Sequence, residues 1–166
     1  MIGFFDESSP QTTSNTQKLW STTKPVVTKN TTKLKANTLG FYAIKGHSTI
    51  DFKEHSKKED ITEFIKQIRT INPYGRIMIV LDNFRSHHAK LTTETAQKLN
   101  IDLVFLPPYS PHLNPIEYIW KTIKRELSPL FIKKQEELKK LIETNFKNRT
   151  QSLSYAKNWI NKFLIS

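Results

Sequence analysis

The stretch LPPYSPHLNPIE occupies residues 106–117 and carries most of what this sequence says about its fold. Its prolines forbid regular structure from Pro107 to Pro111. Residues 114–117 form a helix start, because Asn114 can cap, proline suits the first helical position and Glu117 falls at the third. The helix that follows is predicted to bury one apolar face, made of Ile116, Ile119, Trp120, Ile123 and Leu127. A rigid loop therefore leads into an amphipathic helix with a glutamate in its first turn.

Upstream of this loop, strand patterns alternate with helical ones. The β-branched run at residues 77–81 is typical of an internal strand covered on both faces, and residues 102–106 form a second short strand. Helical spacing of apolar residues predicts helices around residues 61–68 and over residues 89–99. These strands and helices predict an α/β fold.

The N-terminal third is predicted to add antiparallel strands, so the sheet is mixed. Ile2 to Phe5 predicts a short buried strand that ends at Asp6. Residues 39–44 and 48–52 predict a hairpin around a turn at residues 45–47. The polar segment 8–24 is predicted to be a loop or an edge strand anchored by Trp20, and residues 25–28 to be extended. Two further helices, over residues 135–146 and 153–163, are predicted to close the chain.

The composition indicates a globular domain that binds a polyanion. The chain of 166 residues suits one domain, and 26 basic against 15 acidic residues give it a net charge of +11. Such an excess favours nucleic acid as partner, whereas a membrane surface is disfavoured because the basic residues are spread along the chain. There is no cysteine, no apolar stretch of about 20 residues and no signal peptide at the start, so the expected location is the cytoplasm.

Three acids occupy positions where phosphoryl-transfer chemistry needs them. Asp6 and Asp82 each follow a predicted strand, and Glu117 lies in the first turn of a helix. Strand ends are where sites assemble in α/β sheets. Two aspartates on neighbouring strands and a helical glutamate suit hard divalent cations, which prefer oxygen ligands. The acids thus predict a two-metal site for phosphodiester cleavage.

Each acid also has a purely structural interpretation. Asp6 can be a turn residue before the polar loop. Asp82 can form an Asx-turn with the segment that follows, and Glu117 can be the return partner of an Asn114 cap. The placement of all three at strand and helix ends favours the catalytic interpretation.

The motifs around these acids resemble those of the mariner-like DDE transposases, including their bacterial and archaeal insertion-sequence branch. Residues 80–83, Val-Leu-Asp-Asn, with His87 five positions after the aspartate, are similar to the second-acid motif. Residues 106–117, followed by Trp120 and Lys124, resemble the third-acid motif. Phe5-Asp6-Glu7 resembles the first-acid segment. The 34 residues between Asp82 and Glu117, numbers 83–116, match the spacing typical of this superfamily.

The resemblance implies a fold, a reaction and a set of partners. The fold would be RNase H-like, with a mixed five-stranded sheet flanked by helices. Asp6, Asp82 and Glu117 would be catalytic and would bind two Mg²⁺ or Mn²⁺ ions. The reaction would be DNA cleavage at the terminal inverted repeats of a transposon, followed by attack of the freed 3′-hydroxyl on target DNA. The protein would act on the nucleoid and would form a homodimer in the DNA complex.

The resemblance also predicts the domain organisation. Residues 1–130 would form the catalytic domain, and residues 131–166 would form C-terminal helices that pack on it or extend it. Family members normally carry an N-terminal helix-turn-helix domain that recognises the terminal repeats. That domain is absent from this sequence, which is expected of a domain fragment, a split reading frame or a decayed element.

Several further residues are candidates for supporting roles. Asn83 is expected to hold its loop, and His87 to orient Asp82 or contact a phosphate. A zinc site formed by Asp82 with His87 and His88 is disfavoured, because adjacent histidines point in different directions. Asn114 is interpreted as a helix cap rather than a ligand.

Aromatic and basic residues near Glu117 are candidates for DNA contacts. Tyr109 either stacks on an unpaired base or simply packs the proline-rich loop. Lys121, Lys124 and Arg125 are predicted on the exposed face of the Glu117 helix, where they either contact DNA phosphates or are solvated.

Three functions remain compatible with the sequence. The first is an active transposase. The second is an RNase H-like nuclease outside transposition, against which the proline-rich motif argues. The third is an inactive DNA-binding or dimerisation remnant of a truncated transposase, which would bind DNA with strong salt dependence and without metal-dependent cleavage.

Overall fold

The protein was analysed as a computed structural model that describes residues 1–13, 22, 30 and 32–164, without the side chains of residues 85 and 86. The expectations for Trp20, for residues 25–28 and for most of the polar segment 8–24 lie outside the described residues. In the described part of the chain, no helix has the length and apolar character needed to cross a bilayer.

One five-stranded sheet lies at the centre of the described chain, in the order β3-β2-β1-β4-β5. The first three strands pair antiparallel, whereas β4 runs parallel to β1 and β5 parallel to β4. The predicted mixed five-stranded sheet is therefore confirmed, as is the hairpin of β2 and β3. The strands are β1 (Ile2–Ser8), β2 (Thr38–Ala43), β3 (Thr49–Phe52), β4 (Ile77–Leu81) and β5 (Ile101–Phe105).

Helices cover both faces of this sheet. The first two pack with one hydrophobic cluster, and the last three with the other. All five were predicted from sequence, and the apolar residues predicted to be buried in the third are at most 2% exposed. The helices are α1 (Lys58–Ile71), α2 (Lys90–Lys98), α3 (Ile116–Leu127), α4 (Gln135–Thr150) and α5 (Lys157–Phe163). Short 3₁₀ turns cover Arg85–His88, Pro111–Leu113 and Leu153–Tyr155.

The alternation of side chains along β1 divides its residues between the two faces. Phe4 belongs to the cluster that contains α3, whereas Phe5 belongs to the cluster that contains α1. Because successive side chains of a strand point to opposite faces, Asp6 lies on the α3 side and Glu7 on the α1 side. The carboxylates of Asp6 and Glu7, although adjacent in sequence, therefore lie on opposite faces of the sheet.

Strand β1 is longer than the sequence predicted. The expectation that it ends at Asp6 is wrong, because β1 continues to Ser8, where it pairs with Thr38 of β2. Its parallel pairing with β4 stops earlier, at Phe4. Asp6 therefore lies within an antiparallel ribbon that extends past the end of β4, opposite Gly40.

Gly40 allows α3 to approach the sheet closely at this position. A Cβ atom on Gly40 would lie 2.4 Å from Cζ2 of Trp120, which is closer than real Cβ contacts. Residues paired across an antiparallel ribbon place their side chains on the same face, so the Trp120 ring packs on the Asp6 side of the sheet. Glu117 lies three residues before Trp120 on the same helix, and the close approach therefore positions it.

The C-terminal segment packs into the same cluster as α3. The Trp159 ring meets the Phe4 ring edge-on, with centroids 4.9 Å apart. The Tyr42 hydroxyl donates a hydrogen bond to the Ser152 carbonyl at 2.7 Å. The guanidinium of Arg149 pairs with Glu126, which links α4 to α3. Residues beyond 131 thus contribute to the core that supports the Glu117 helix.

Candidate active site

The three acids come from three different elements that meet at one end of the sheet. Asp6 projects from β1, Asp82 directly follows β4, and Glu117 lies in the first turn of α3. Asp82 and Glu117 line a common cavity of about 380 Å³, whose rim is the proline-rich loop at residues 106–111. The parallel pairing of β1 with β4 brings the first two acids together, and the packing of α3 adds the third.

Asp6 is the acid with the least favourable surroundings for a charge. It is only 6% exposed, and its Oδ2 atom has no hydrogen-bond partner among the described residues. Burial raises the pKa of Asp6 well above its usual value, and the charges of Glu117 and Asp82 raise it further. The three carboxyl groups are therefore electrostatically coupled.

Glu117 and Asp82 respond to their surroundings in opposite directions. Burial raises the pKa of Glu117, although the positive charge of Lys124 partly opposes this. The hydrogen bond from His87 lowers the pKa of Asp82 despite its partial burial. Asp82 is accordingly ionised at neutral pH, and its negative charge disfavours ionisation of the nearby Asp6 and Glu117.

These groups have the donor chemistry of a divalent-cation site. Two buried oxygen atoms near the start of α3, Oδ2 of Asp6 and Oδ1 of Asn114, lack any hydrogen-bond partner in the described part of the chain. Unpaired oxygens beside two further carboxylates are what a hard cation would neutralise. No three His, Asp or Glu side chains among the described residues converge closely enough to form a ready metal cluster. The Asp82 carboxylate is instead paired with His87.

His87 joins two carboxylates across the sheet end. Its Nδ1 atom lies 2.9 Å from Oδ1 of Asp82, and its Nε2 atom lies 3.2 Å from Oε1 of Glu7. The side chain is almost fully buried, with its ring edge-on to Phe5. Burial alone would lower the pKa of His87, but the hydrogen bonds to Asp82 and Glu7 outweigh it and raise the pKa to about 9. A buried imidazolium therefore links β1 to the loop after β4.

The loop after β4 is held by short-range hydrogen bonds. The backbone N–H of Phe84 donates to Oδ1 of Asp82 at 3.3 Å, which is the Asx-turn expected from the structural interpretation of this acid. The Asn83 side chain contacts the imidazole of His88, and that ring stacks on Phe105 with centroids 3.9 Å apart. His87 and His88 thus have separate partners.

Asn114 does not cap α3, and the prediction that it would is wrong. Its side chain donates from Nδ2 to the Phe5 carbonyl at 3.1 Å, and no side-chain cap is present at the start of α3. The 3₁₀ turn at residues 111–113 leads into the helix through Asn114, whose buried side chain is drawn toward β1 instead. Asn114 therefore ties the beginning of the Glu117 helix to the strand that carries Asp6.

Tyr109 does not pack the proline-rich loop. Its side chain is fully exposed, and its backbone has a φ of +58°, in the left-handed region that a non-glycine residue rarely occupies. It lines the cavity of Asp82 and Glu117 together with the exposed ring of Phe84. An aromatic side chain thus stands free at the rim beside the acids.

The predicted exposed face of α3 is confirmed as exposed. Lys121, Lys124 and Arg125 are all accessible, and none forms an ion pair with a described carboxylate at salt-bridge distance. They line a second cavity that runs along α3. Their charge is therefore available to a polyanion.

Sequence reasoning missed two parts of this region. Glu7 was treated only as a neighbour of Asp6, although the period of two in a strand places it on the opposite face, where His87 reaches it. The aromatic residues of the C-terminal segment carried no recognisable motif. Their approach to α3 follows from packing between elements distant in sequence, which no local pattern signals.

Comparison with known proteins adds a family and a set of similar structures. Residues 1–139 match the model of a family described as DDE superfamily endonuclease. An uncharacterized protein (y4pE/y4sA) of Sinorhizobium fredii (strain NBRC 101917 / NGR234) is 33% identical over 67 residues, which is 40% of this chain and 47% of that protein.

Solved structures of Mos1 transposase share the fold. A Mos1 paired-end complex with the left transposon end matches 93% of this chain and 52% of its own, with 16% identity and a TM-score of 0.67. A Mos1 catalytic domain with Raltegravir and Mn matches 88% of this chain and 70% of its own, with 18% identity and a TM-score of 0.62. A Mos1 paired end complex with Mg matches 89% of this chain and 48% of its own, with 19% identity and a TM-score of 0.66.

These likenesses establish the RNase H-like fold. The chain spans about half the length of the first of these relatives and structures.

Proposed function

The chain belongs to the DDE superfamily endonuclease family, and we propose that it is the catalytic domain of a transposase that cleaves DNA at transposon ends and transfers the freed 3′-hydroxyl into target DNA. One observation carries the proposal. Asp6, Asp82 and Glu117 come from three separate elements that meet at one end of the sheet, and the buried Asp6 has an Oδ2 atom without a hydrogen-bond partner among the described residues. A fold without catalytic use for these acids would gain by replacing Asp6 with a neutral residue.

Asp6, Asp82 and Glu117 would hold two Mg²⁺ or Mn²⁺ ions, and the unpaired Oδ1 of Asn114 is a further candidate oxygen. When bound, the ions would activate the attacking water or 3′-hydroxyl and stabilise the leaving oxygen of the phosphodiester. The similarity to Mos1 structures that contain Mn or Mg supports this choice of metals.

The protein's own residues would keep the acids in place during the reaction. The His87 imidazolium pairs with the Asp82 carboxylate and with Glu7 of β1, so that Asp82 is fixed relative to β1. Asn83 would steady the same loop through its contact with His88. Asn114 fixes the start of α3 against the Phe5 carbonyl, so that Glu117 stays beside Asp6. These three residues act on the acids rather than on the substrate.

Positive charge next to the acids would bind the DNA backbone. Lys121, Lys124 and Arg125 are exposed on α3, and the chain as a whole carries a charge of +11. Contacts of this kind position a duplex without reading its sequence. Tyr109, at the rim of the acid cavity, would stack on a base near the scissile phosphate, because a free ring in this place has no packing role.

The complete reaction would need parts beyond the described fold. A domain that recognises terminal inverted repeats would have to bring the acids to the transposon ends, and two copies of the catalytic domain would be needed to join two ends to one target. We therefore propose a homodimer in the DNA complex. We also propose residues 1–130 as the catalytic domain, residues 131–166 as helices that support it, and the nucleoid as the place of action.

The proposal is tested by nicking of supercoiled plasmid by the purified chain in Mn²⁺, in Mg²⁺ and in chelator. Metal-dependent nicking is expected, and Asp82→Asn and Glu117→Gln should each lower its rate by more than about 100-fold, since removing even an outer partner of a metal ligand costs about 10–100-fold. Asp102→Asn is the matched control, because Asp102 is a partly exposed acid of β5 that pairs with Arg76 and does not line the cavity.

The same assay separates the competing functions. Nicking that persists in chelator, or that survives both site substitutions, would contradict a metal-dependent site at these acids. Cleavage of RNA–DNA hybrids without cleavage of DNA duplexes would indicate a nuclease outside transposition. Salt-sensitive DNA binding with no metal-dependent cleavage would indicate a DNA-binding remnant.

A further inference from the structure

A second cavity lies along α3, next to the cavity that Asp82 and Glu117 line. It has a volume of about 890 Å³ and runs between α3 and the C-terminal segment that contains α5. We call it the basic–aromatic groove and define it by Tyr118, Lys121 and Arg125 of α3 and by Trp159, Lys162 and Phe163 of α5.

The charge of this groove has one sign. Lys121, Lys124, Arg125 and Lys162 line it, and no acidic residue does so among the residues that the structure describes. None of the four cations lies within salt-bridge distance of a described carboxylate. Uncompensated positive charge in a concave surface attracts polyanions.

Aromatic side chains line the groove together with these cations. Tyr118 is 46% exposed and Phe163 is 45% exposed, although both are large apolar side chains. The Trp159 ring packs against the Phe163 ring at a tilt of 46°, with centroids 5.2 Å apart, and Lys162 lies 5.3 Å from the centroid of the Phe163 ring. Exposed rings beside cations form the platform on which unpaired bases stack while the backbone is neutralised. A DNA duplex conceals the faces of its bases, so this arrangement suits a single strand.

The groove leads to the acids. The 3₁₀ turn at residues 111–113 separates the two cavities, with Pro111 lining the acid cavity and His112 lining the groove. Glu117 lines the acid cavity, whereas Tyr118, the next residue, lines the groove. Lys124 lines the groove and still acts electrostatically on Glu117. A strand in the groove would therefore continue past the start of α3 to the acid cavity.

We propose that the basic–aromatic groove binds a single-stranded segment of the DNA substrate, with phosphates on Lys121, Arg125 and Lys162 and a base against Tyr118 and Phe163. The inference rests on the proposed function, because it names the form of DNA that flanks the bond to be cut. A second copy of this basic chain fits less well, since four cations would meet a partner of the same net sign.

The test is fluorescence anisotropy of a labelled oligothymidylate of about 20 nucleotides and of a duplex of equal length, in chelator. The full chain should bind both. Tyr118→Ala with Phe163→Ala should weaken single-strand binding about tenfold or more and change duplex binding by less than about threefold. Lys121→Ala with Arg125→Ala should weaken binding of both and flatten the salt dependence, because about two fewer phosphates are neutralised.

Matched variants make the result decisive. Lys134→Ala with Lys140→Ala removes the same charge from exposed positions outside the groove and should change single-strand binding far less than the groove pair. Phe163→Ala alone, at the exposed end of α5, serves if the double variant does not fold. Equal losses for single strand and duplex in the aromatic variants, or equal losses in the groove pair Lys121/Arg125 and the control pair Lys134/Lys140, would overturn the proposal.

Binding in chelator is independent of cleavage, so the two proposals fail separately. If nicking depends on metal but the aromatic variants bind single strands normally, the proposed enzymatic function stands and the proposed role of the groove is wrong. If the groove binds single strands selectively but the chain shows no metal-dependent nicking, the proposed role of the groove stands and the proposed enzymatic function is wrong.

Discussion

Asp6 lies opposite Gly40 in the antiparallel pairing of β1 and β2, so a buried acid of the candidate site stands beside the glycine that admits the Trp120 ring. The pairing explains how α3 comes close enough to contribute Glu117. The sheet at this point has a hydrogen atom where other residues would carry a side chain, and the indole fills that space. Packing of the core and assembly of the acids therefore depend on the same close approach.

Gly40→Ala is expected to lower the free energy of unfolding by about 1–3 kcal/mol, because the new Cβ atom overlaps the Trp120 ring. Nicking activity should fall as well, since α3 must move and Glu117 moves with it. Urea denaturation measures the first effect. Combining the change with Trp120→Phe, which lacks the fused ring at the point of overlap, should give a loss smaller than the sum of the single losses. Additive losses would show that the overlap is relieved elsewhere.

Asp6→Asn is expected to stabilise the metal-free protein while removing its response to metal. Burial and the neighbouring carboxylates raise the pKa of Asp6 in the folded state, so the stability that its protonated form contributes at acid pH is lost as pH rises through the folded pKa. At neutral pH the neutral amide avoids this loss. Thermal unfolding in chelator should show a higher Tm for the variant.

The metal response supplies the control for that substitution. Mn²⁺ should raise the Tm of the wild-type protein, because a ligand that binds only the folded state stabilises it, and should leave Asp6→Asn nearly unchanged. Asp102→Asn, at a partly exposed acid of β5, should behave like wild type toward Mn²⁺. An Asp6→Asn protein that is less stable than wild type in chelator would show that the carboxylate has a structural partner.

His87 should make the folded state sensitive to alkaline pH. Its pKa rises from an ordinary value of 6.5 to about 9 on folding. A raised pKa gives stability that is fully present below the unfolded value and is lost as pH rises through the folded value. The free energy of unfolding in chelator should therefore fall between about pH 6.5 and 9, by about 3 kcal/mol. His87→Gln should lack this fall.

NMR titration of the imidazole signals gives an independent measurement. The chain has five histidines, and the signal lost in His87→Gln identifies the one of interest. A pKa near 6.5 for that signal, or parallel stability curves for the two proteins, would contradict a charged bridge between Asp82 and Glu7.

Substitutions at Tyr109 should change stability and nicking activity independently of each other. Its positive φ strains any residue with a Cβ, so Tyr109→Gly is expected to be more stable than Tyr109→Ala by about 1 kcal/mol. Both variants lose the exposed ring, and both should nick plasmid more slowly by a similar factor. Urea denaturation and the plasmid assay together test this. Normal nicking in both variants would mean that the ring does not touch DNA.

Local patterns predicted the elements of this fold correctly because burial imposes a period on the sequence. The apolar residues of α3 repeat at helical spacing, and β4 is a β-branched run, so each element was recognisable by itself. The acids were recognisable because each lies within a short sequence motif and because the spacing between Asp82 and Glu117, 34 residues, can be counted directly in the sequence. The two errors, the end of β1 and the role of Asn114, both concern contacts with elements distant in sequence. Pairing with β2 extends β1 through Ser8, and the Phe5 carbonyl draws Asn114 away from the helix it was expected to cap.

Side-chain type and hydrophobic period are properties of the chain, so they were enough to identify the candidate catalytic residues and the elements that carry them. How those residues are arranged followed from the packing of the whole fold. It placed Glu7 and His87 on one face and Asp6 on the other, turned Asp82 toward the imidazolium, and brought the aromatic residues of α5 beside the cations of α3. These relations join residues many positions apart, and they are set by strand pairing and close packing, which no local period records.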